Sequence, residues 1–199
     1  DVTILEKNDI LGKKILVTGK GRCNITNGVE ISEFINNIPG NGKFLYSAFE
    51  NFNNKDIIKL LKEEGLETKE ERGNRIFPVT DNANDVRVSL SKKVRKLGIE
   101  VLTNTKVEKV IVKDGIAIGV EYNNIEKMYG DKIIISTGGA SYPTTGSTGD
   151  GYEMAKEVGH TIKEIRPSLV PLETYEKRYC KEMQVLSIRN IEIKLIETQ

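Results

Sequence analysis

A basic, glycine-rich loop near the start of the chain has the composition of an anion-binding segment. The sequence GKKILVTGKGRCNITN at residues 12–27 combines three glycines, four basic side chains and two threonines. Backbone N–H groups and positive charge of this kind can surround a phosphate. The loop matches neither the G-x-G-x-x-G motif nor the Walker A motif, because Arg22, Cys23 and Asn24 follow its last glycine. A phosphate-binding loop and an ordinary surface loop both fit these residues.

Glu6 is a second candidate, because it ends an apolar run that predicts a short buried strand at residues 1–6. In dinucleotide-binding folds, an acidic residue at the end of the second strand accepts hydrogen bonds from a ribose. A solvent-exposed strand end is the alternative interpretation. Glu6 by itself does not distinguish the two.

Cys23 and His160 are the side chains best suited to nucleophilic or acid–base chemistry. The positive charge of Arg22 and nearby lysines could lower the pKa of the Cys23 thiol. The other cysteine, Cys180, is distant in sequence, so a packed or cofactor-contacting thiol is favoured over a catalytic one. His160 follows a glycine that ends a predicted helix, which favours a structural role. Because it is the only histidine, we exclude a His-rich metal site and predict no metal.

A second glycine-rich segment, at residues 136–151, directly follows an apolar run at residues 132–136. That run predicts a strand buried on both faces. Gly138 and Gly139, which follow Thr137, would let a ligand approach the backbone closely. The segment leads into a helix predicted to begin at Asp150, with Glu153 completing a capping box. Ligand binding, an ordinary strand-to-loop turn and simple helix capping all fit these residues.

Helices and strands that could position these residues alternate along the chain. Apolar positions three and four apart predict helices over residues 54–64 and 83–97, and aromatic spacing predicts a short helix over residues 44–52. Residues 14–18 have some strand character. A hairpin is predicted at residues 67–79.

A dense β region follows the second long helix. Residues 99–102 predict one strand, and alternating residues 106–129 predict a three-stranded antiparallel meander. Asp114-Gly115 and Asn123-Asn124 supply its two-residue turns. Residues 188–196 alternate again and predict a last strand.

The composition indicates a folded protein whose surface carries no strong excess of either charge. The 199 residues are 38% hydrophobic and carry a net charge of +1, so we predict no nucleic-acid or membrane partner. A small-molecule substrate is predicted on the family resemblance described below. The apolar runs are too short to span a bilayer, and the opening residues do not resemble a secretory signal. Two cysteines in unrelated contexts predict no disulfide and a reducing, cytoplasmic setting. The oligomeric state is not indicated.

Two long motifs together resemble one protein family. They are the basic loop at residues 12–27 and the segment STGGASYPTTGSTGDGYEMAKEVGH at residues 136–160, which PSLVPL follows at residues 167–172. The chain resembles the BaiN/RdsA-type NAD(P)/FAD-dependent oxidoreductases, a flavoprotein branch with a glutathione-reductase-like FAD domain. The resemblance covers nearly the whole chain in order. It implies an α/β fold, with an FAD/NAD(P)-binding Rossmann-like parallel sheet and the meander, at about residues 105–130, as a crossover.

The resemblance also implies which positions contact FAD. Glu6 resembles the ribose-binding acid, the basic loop resembles the lining of the cofactor, and Val107 resembles a backbone contact to the adenine. Thr137 begins a motif that resembles the one beside the diphosphate side of the flavin. The cofactor-binding residues implied in this way are Glu6, Lys7, Gly12, Lys13, Lys14, Thr18, Gly19, Gly21, Arg22, Cys23, Asn24, Val107, Thr137, Gly138 and Gly139. No catalytic residue is implied.

The sequence departs from this family at both ends. Family members have a strand and a G-x-G-x-x-G turn before the position of Asp1, and a second FAD-contacting segment near the C-terminus. We therefore expect a fragment in which residues 1–167 are part of an FAD-binding domain and residues 168–199 begin an inserted substrate-side domain. The parent is expected to use FAD to pass hydride between NAD(P)H and an organic substrate, for example by reducing a C=C bond. A non-catalytic nucleotide-binding module and an inactive truncated remnant are the alternatives.

Overall fold

A computed structural model of the chain describes residues 1–167, 175 and 177–183. The described strands are β1 (Thr3–Leu5), β2 (Thr26–Asn27), β3 (Thr68–Glu71), β4 (Arg75–Pro78), β5 (Glu100–Leu102), β6 (Val107–Lys113), β7 (Ile116–Tyr122) and β8 (Glu126–Tyr129). The described helices are α1 (Ile31–Asn36), α2 (Tyr46–Asn51), α3 (Asn54–Glu63), α4 (Ala83–Lys96), α5 (Asp150–Glu157) and α6 (Lys177–Glu182).

The chain divides into two compact units, residues 1–162 and residues 163–199. The described part of the second unit contains the short helix α6. The strand predicted at residues 188–196 lies outside the described residues. The assignment of residues 168–199 to a substrate-side domain therefore stays a prediction.

The first unit combines parallel and antiparallel strand pairs, in agreement with the predicted α/β class. β1 pairs in parallel with β5, and Leu5 lies opposite Leu102. β2, β4 and β3 form a small antiparallel sheet. β6, β7 and β8 form the predicted meander, with Asp114 and Gly115 at φ values of 51° and 78° in its first turn. Positive φ at both central residues is the geometry of a type I′ two-residue hairpin turn. The second turn is longer than predicted, because Tyr122 pairs with Glu126 and three residues lie between the two strands.

The two long helices are confirmed, and they build the core together with the basic loop. An asparagine caps each helix: Asn53 accepts a hydrogen bond from the N–H of Lys55, and Asn82 accepts one from the N–H of Asn84. The buried residues that pack together are Cys23, Leu61, Leu66, Ala83 and Val86. The core thus includes a residue of the candidate cofactor loop.

The predicted strand character of residues 14–18 is wrong. Residues Ile15–Gly21 form 3₁₀ turns that a left-handed kink at Gly19 and Lys20 interrupts. The N–H of Ile15 donates to the carbonyl of Gly12, and the hydroxyl of Thr18 donates to the carbonyl of Ile15. These local hydrogen bonds satisfy groups that a strand would have to pair with a neighbouring strand.

The buried strand predicted at residues 132–136 is also absent from the described structure. Residues 132–139 have no regular secondary structure, and Ile134 is 87% exposed. A strand buried on both faces needs a hydrogen-bonded neighbour and a covering layer. Within the described ranges, no strand pairs with this run. The apolar composition of this run fits a buried strand, but the described residues supply no partner strand for it.

The start of α5 differs from the predicted capping box. Gly149, at a φ of 85°, occupies the N-cap position, and no side chain caps the helix. The carboxylate of Asp150 instead accepts hydrogen bonds from Lys7 and Thr148, while Glu153 pairs within its own helix. The prediction was wrong because Lys7, 143 positions away in sequence, gives Asp150 a charged partner.

Candidate functional site

The carboxyl end of β1 places Glu6 at the edge of the parallel pair. The N–H of Glu6 donates to the carbonyl of Leu102 at 2.9 Å, and its own carbonyl accepts from the N–H of Thr105 at 2.9 Å. The side-chain Oε1 accepts from the backbone N–H of Asn8 at 2.8 Å and from its Nδ2 at 2.7 Å. Within the described part of the chain, no hydrogen bond to Oε2 is found. One oxygen of the carboxylate is therefore fixed and the other is available.

The segment after β1 also holds the loop at residues 141–150. Lys7 Nζ donates to the hydroxyl of Thr148 and, at 2.6 Å, to the carboxylate of Asp150. Asn8 Nδ2 donates to the carbonyl of Thr145 at 3.2 Å. Burial alone would raise the pKa of Asp150, but the hydrogen bonds from Lys7 and Thr148 outweigh it and hold that pKa below its ordinary value.

Lys14, from the basic loop, contacts the same loop at its other end. Its Nζ donates to the hydroxyls of Ser141 at 2.9 Å and Ser147 at 3.1 Å. Ser147 is buried, with 4% of its surface exposed. Two ammonium groups, of Lys7 and Lys14, therefore lie against one hydroxyl-rich loop.

The motif of Thr137, Gly138 and Gly139 lies beside that loop. The N–H of Gly149 donates to the carbonyl of Gly139 at 3.2 Å. Gly138 has a φ of 76°, and a Cβ there would lie 3.4 Å from the Ser147 hydroxyl oxygen. We call Glu6, Lys7, Asn8, Lys14, residues 137–139 and residues 141–150 the β1-end site. It joins two parts of the chain that lie 127–143 positions apart in sequence.

Arg22 lies in an ion cluster on the hairpin of β3 and β4. Its guanidinium donates to Glu71 and, through Nε at 2.9 Å, to Asp81, and its Cζ lies 4.3 Å from the centroid of the Phe77 ring. Lys69 Nζ lies 2.7 Å from the same Asp81 carboxylate. The hydrogen bond from Arg22 lowers the pKa of Glu71, and the hydrogen bonds from Lys69 and Arg22 lower that of Asp81. In this structure the charge of Arg22 is directed at protein carboxylates.

Cys23 is a packed thiol. It is 5% exposed and contacts the core around Leu61. Burial raises the pKa of the thiol, and a hydrogen bond with Thr18 offsets this in part. Basic neighbours do not lower the pKa of this thiol, because burial dominates and Arg22 is paired with carboxylates. The interpretation of Cys23 as a packed residue is thereby supported.

The glycines of the basic loop support a left-handed backbone. Gly19, Lys20 and Gly21 have φ values of 54°, 57° and 83°. A Cβ at Gly19 would lie 2.7 Å from the backbone nitrogen of Asn24 and 3.1 Å from the ring of Phe77. The loop can therefore fold back on itself only where Gly19 has no side chain.

The other proposed cofactor contacts have partners elsewhere in the described structure. A Cβ at Gly12 would lie 3.1 Å from the Arg87 side chain of α4, and Lys13 pairs with Asp9 at 3.5 Å. Val107 begins β6 and lies opposite a residue of β7. Their role at a cofactor stays a prediction.

Sequence reasoning missed three residues: Asn8, Glu71 and Asp81. Asn8 lies two positions after Glu6, which ends the strand. Asn side chains commonly form hydrogen bonds to nearby groups in turns, so the sequence position of Asn8 was a usable signal. Glu71 and Asp81 had no comparable signal. They are 49 and 59 positions from Arg22 in sequence.

The Arg22 cluster predicts the reactivity of Cys23. In a Cys180→Ser background, we expect the double variant Glu71→Gln, Asp81→Asn to react with a thiol reagent at pH 7 on the order of tenfold faster, because a released loop exposes the thiol and lets its pKa fall. The rate is measured by stopped-flow absorbance of the product that the thiol reagent releases. Glu30→Gln removes the exposed ion pair with Lys55 and serves as the control. Equal rates in all three proteins would contradict a loop held by this cluster.

Comparison with known proteins places the chain in a family. The model of the HI0933-like protein Rossmann domain matches residues 1–196. The chain belongs to the HI0933-like Rossmann domain family. This membership confirms the resemblance drawn from the two long motifs, since the relatives include a bile acid reductase and ribosomal RNA dihydrouridine synthases.

The relatives of this HI0933-like chain are longer proteins. The 3-dehydro-bile acid delta(4,6)-reductase of Clostridium scindens is 31% identical over 182 residues, which are 90% of this chain and 43% of that protein. The ribosomal RNA dihydrouridine synthase of Escherichia coli is 31% identical over 195 residues, which are 94% of this chain and 45% of that protein. The chain thus spans less than half the length of these curated relatives.

Solved structures share the fold of the HI0933-like chain. The open conformation of a flavocytochrome c3 fumarate reductase has a TM-score of 0.53 at 19% identity, covering 78% of this chain and 33% of that one. The apo Sdh1 complex of Mycobacterium smegmatis has a TM-score of 0.53 at 19% identity, covering 79% and 34%. This likeness confirms the Rossmann-like α/β class. Among the helices of the described ranges, none has the length and apolarity that crossing a bilayer requires.

Proposed function

We propose that this HI0933-like chain forms the FAD-binding portion of a flavin-dependent oxidoreductase. The observation that carries the proposal is Glu6, at the carboxyl end of a parallel strand and beside a glycine-bearing loop that Lys7 and Lys14 contact. A carboxylate in that position suits the ribose hydroxyls of an adenine dinucleotide. Ammonium groups and loop hydroxyls suit a diphosphate.

The residues of the β1-end site fit the FAD molecule in chemistry. The site offers one acceptor, Glu6 Oε2, for ribose hydroxyls, and one cationic donor, Lys14, for phosphate oxygens, while Lys7 is paired with Asp150. Gly138 and Gly146 have φ values of 76° and 93°, which side-chain-bearing residues rarely adopt, so the conformation of the site depends on glycine at both positions. When bound, FAD would supply hydride transfer, while these residues bind and orient it.

We further propose NAD(P)H as electron donor and an organic substrate with a reducible C=C bond. The relatives' names support the substrate class, since one is a delta(4,6)-reductase and another a dihydrouridine synthase. NAD(P)H is the donor that the resemblance to NAD(P)/FAD-dependent oxidoreductases implies. The site residues named here serve binding and orientation, and none of them is assigned to proton transfer.

The first test is an FAD titration of the 199-residue chain. We expect saturable binding with a Kd of roughly 1 mM or tighter. Glu6→Gln is expected to weaken it by about 10- to 100-fold, because a hydrogen bond to a charged group contributes about 1.5–3 kcal/mol. Flavin fluorescence reports the binding. Glu30→Gln, which removes an exposed carboxylate elsewhere, should leave the affinity within about twofold.

The alternatives give different results in the same titration. A chain that binds ADP and not FAD would be a nucleotide-binding module without flavin chemistry. A folded chain that binds neither would be an inactive remnant. If FAD binds, anaerobic addition of NADH or NADPH should bleach the flavin absorbance; an unchanged spectrum with both donors would contradict the proposed donor.

A further inference from the structure

We propose that Asn8 is a positioning residue that fixes the carboxylate of Glu6 and thereby makes the β1-end site selective for a ribose over a deoxyribose. The inference rests on the proposed function, since it concerns the adenosine half of the same cofactor. It assigns a role to a side chain that sits two positions beyond the acid.

Asn8 is itself held in a single orientation. Its Nδ2 carries two hydrogens, and each has an acceptor: Glu6 Oε1 at 2.7 Å and the carbonyl of Thr145 at 3.2 Å. Its backbone carbonyl accepts from the N–H of Asn104 at 2.8 Å. Turning the amide over would set its oxygen against the carboxylate and against a carbonyl, which is repulsive. The side chain therefore has one acceptable placement.

This placement immobilises one oxygen of Glu6. The backbone N–H and Nδ2 of Asn8 both donate to Oε1, which defines the plane and rotation of the carboxylate. Oε2 is the oxygen without a hydrogen bond in the described part of the chain. A carboxylate that is already fixed loses less rotational freedom when a ligand binds, so the ribose hydroxyls meet an oriented acceptor. Removing Asn8 leaves the charge of Glu6 in place and removes its orientation.

Gly146 makes the arrangement possible from the opposite side. A Cβ at Gly146 would lie 2.6 Å from Asn8 Nδ2 and 3.2 Å from its Oδ1. Any side chain at this position must displace the Asn8 amide. Residues 141–150 and the ribose acid are therefore coupled through Asn8, and a substitution in the loop can alter ribose recognition without contacting Glu6.

The test compares ADP with 2′,3′-dideoxy-ADP by isothermal titration of the full chain. We expect the wild type to prefer ADP by about 30-fold, because the dideoxy ligand leaves Glu6 Oε2 without a partner. Asn8→Ala is expected to reduce that preference to about threefold, with the affinity for the dideoxy nucleotide unchanged within about twofold. The unchanged dideoxy affinity separates a positioning role from general damage to the fold. In the double variant with Glu6→Gln, the preference should be no lower than in Glu6→Gln alone.

A pair of glycine variants supplies the matched control. Gly146→Ala should reduce the ADP preference as Asn8→Ala does. Gly159→Ala has the same φ of 93° but has no atom within 4 Å of its Cβ, so it carries the backbone strain alone and should keep the wild-type preference. An equal ADP preference in the wild type and Asn8→Ala would overturn the role of Asn8, even if FAD binds. A chain that shows the expected preference but does not bind FAD would contradict the flavin function and leave Asn8 in its role. Failure to bind ADP would overturn both.

Discussion

Replacing Leu61 with alanine is expected to lower the free energy of unfolding by about 2–5 kcal/mol. Leu61 has no exposed surface and packs in the core with Leu66, Ala83 and Val86. Removing its side chain loses the burial of apolar surface and leaves a cavity that close neighbours fill only in part. Urea denaturation followed by circular dichroism measures the change.

Leu97→Ala is the matched control for this prediction. The same atoms are removed, but Leu97 is 62% exposed at the end of α4, so we expect a change below about 0.5 kcal/mol. Similar losses in the two variants would show that the cluster around Leu61 is not the core of the unit. Because Cys23 packs against the same cluster, Leu61→Ala should also raise the reactivity of the Cys23 thiol.

Gly19→Ala is expected to weaken FAD binding by more than about tenfold. The φ of 54° already disfavours alanine by about 1 kcal/mol, and the added Cβ would lie 2.7 Å from the backbone nitrogen of Asn24. Backbone cannot move aside as a flexible side chain can, so the loop must open between Gly19 and Asn24. Fluorescence titration with FAD, without denaturant, measures the affinity.

Gly98→Ala separates the clash from the backbone strain. Gly98 has a φ of 67°, and a Cβ added there would have no atom within 4 Å. Alanine at this position therefore introduces the unfavourable left-handed conformation without a clash. We expect a loss of about 1 kcal/mol in stability and unchanged FAD affinity. If both variants bind FAD as tightly as the wild type, the basic loop takes no part in the cofactor site.

Local patterns predicted those elements whose cause is local. The meander was predictable because Asp114-Gly115 supplies the positive φ values of its first turn, and α3 and α4 because their apolar spacing and asparagine caps lie within a few residues. Three predictions failed, each for a different reason. Asp150 pairs with Lys7, which is distant in sequence. Residues 14–18 form local hydrogen bonds in place of strand pairing, and residues 132–136 have no partner strand in the described ranges.

The candidate site likewise contains residues that could be predicted from the sequence and residues that could not. Glu6 and the motif at residues 137–139 could be named from strand ends and glycines, and the structure brings them together with Lys7 and Lys14. The surroundings of Arg22 could not be predicted, because Glu71 and Asp81 reach it only through the β3–β4 hairpin. The sign of the pKa shift at Cys23 depends on burial, which composition near the residue does not reveal.

The pairing of β1 with β5 sets the order in which the chain can assemble during its synthesis. Thr3 lies opposite Glu100, 97 positions later. At about 5–20 residues per second, the ribosome needs roughly 5–20 s to deliver the partner strand. In that interval α3, the β3–β4 hairpin and α4 emerge and can form from local contacts, while the apolar face of β1 stays without its partner. Glu6 is positioned by backbone hydrogen bonds to Leu102 and Thr105, so it reaches its final position only after those residues have been made.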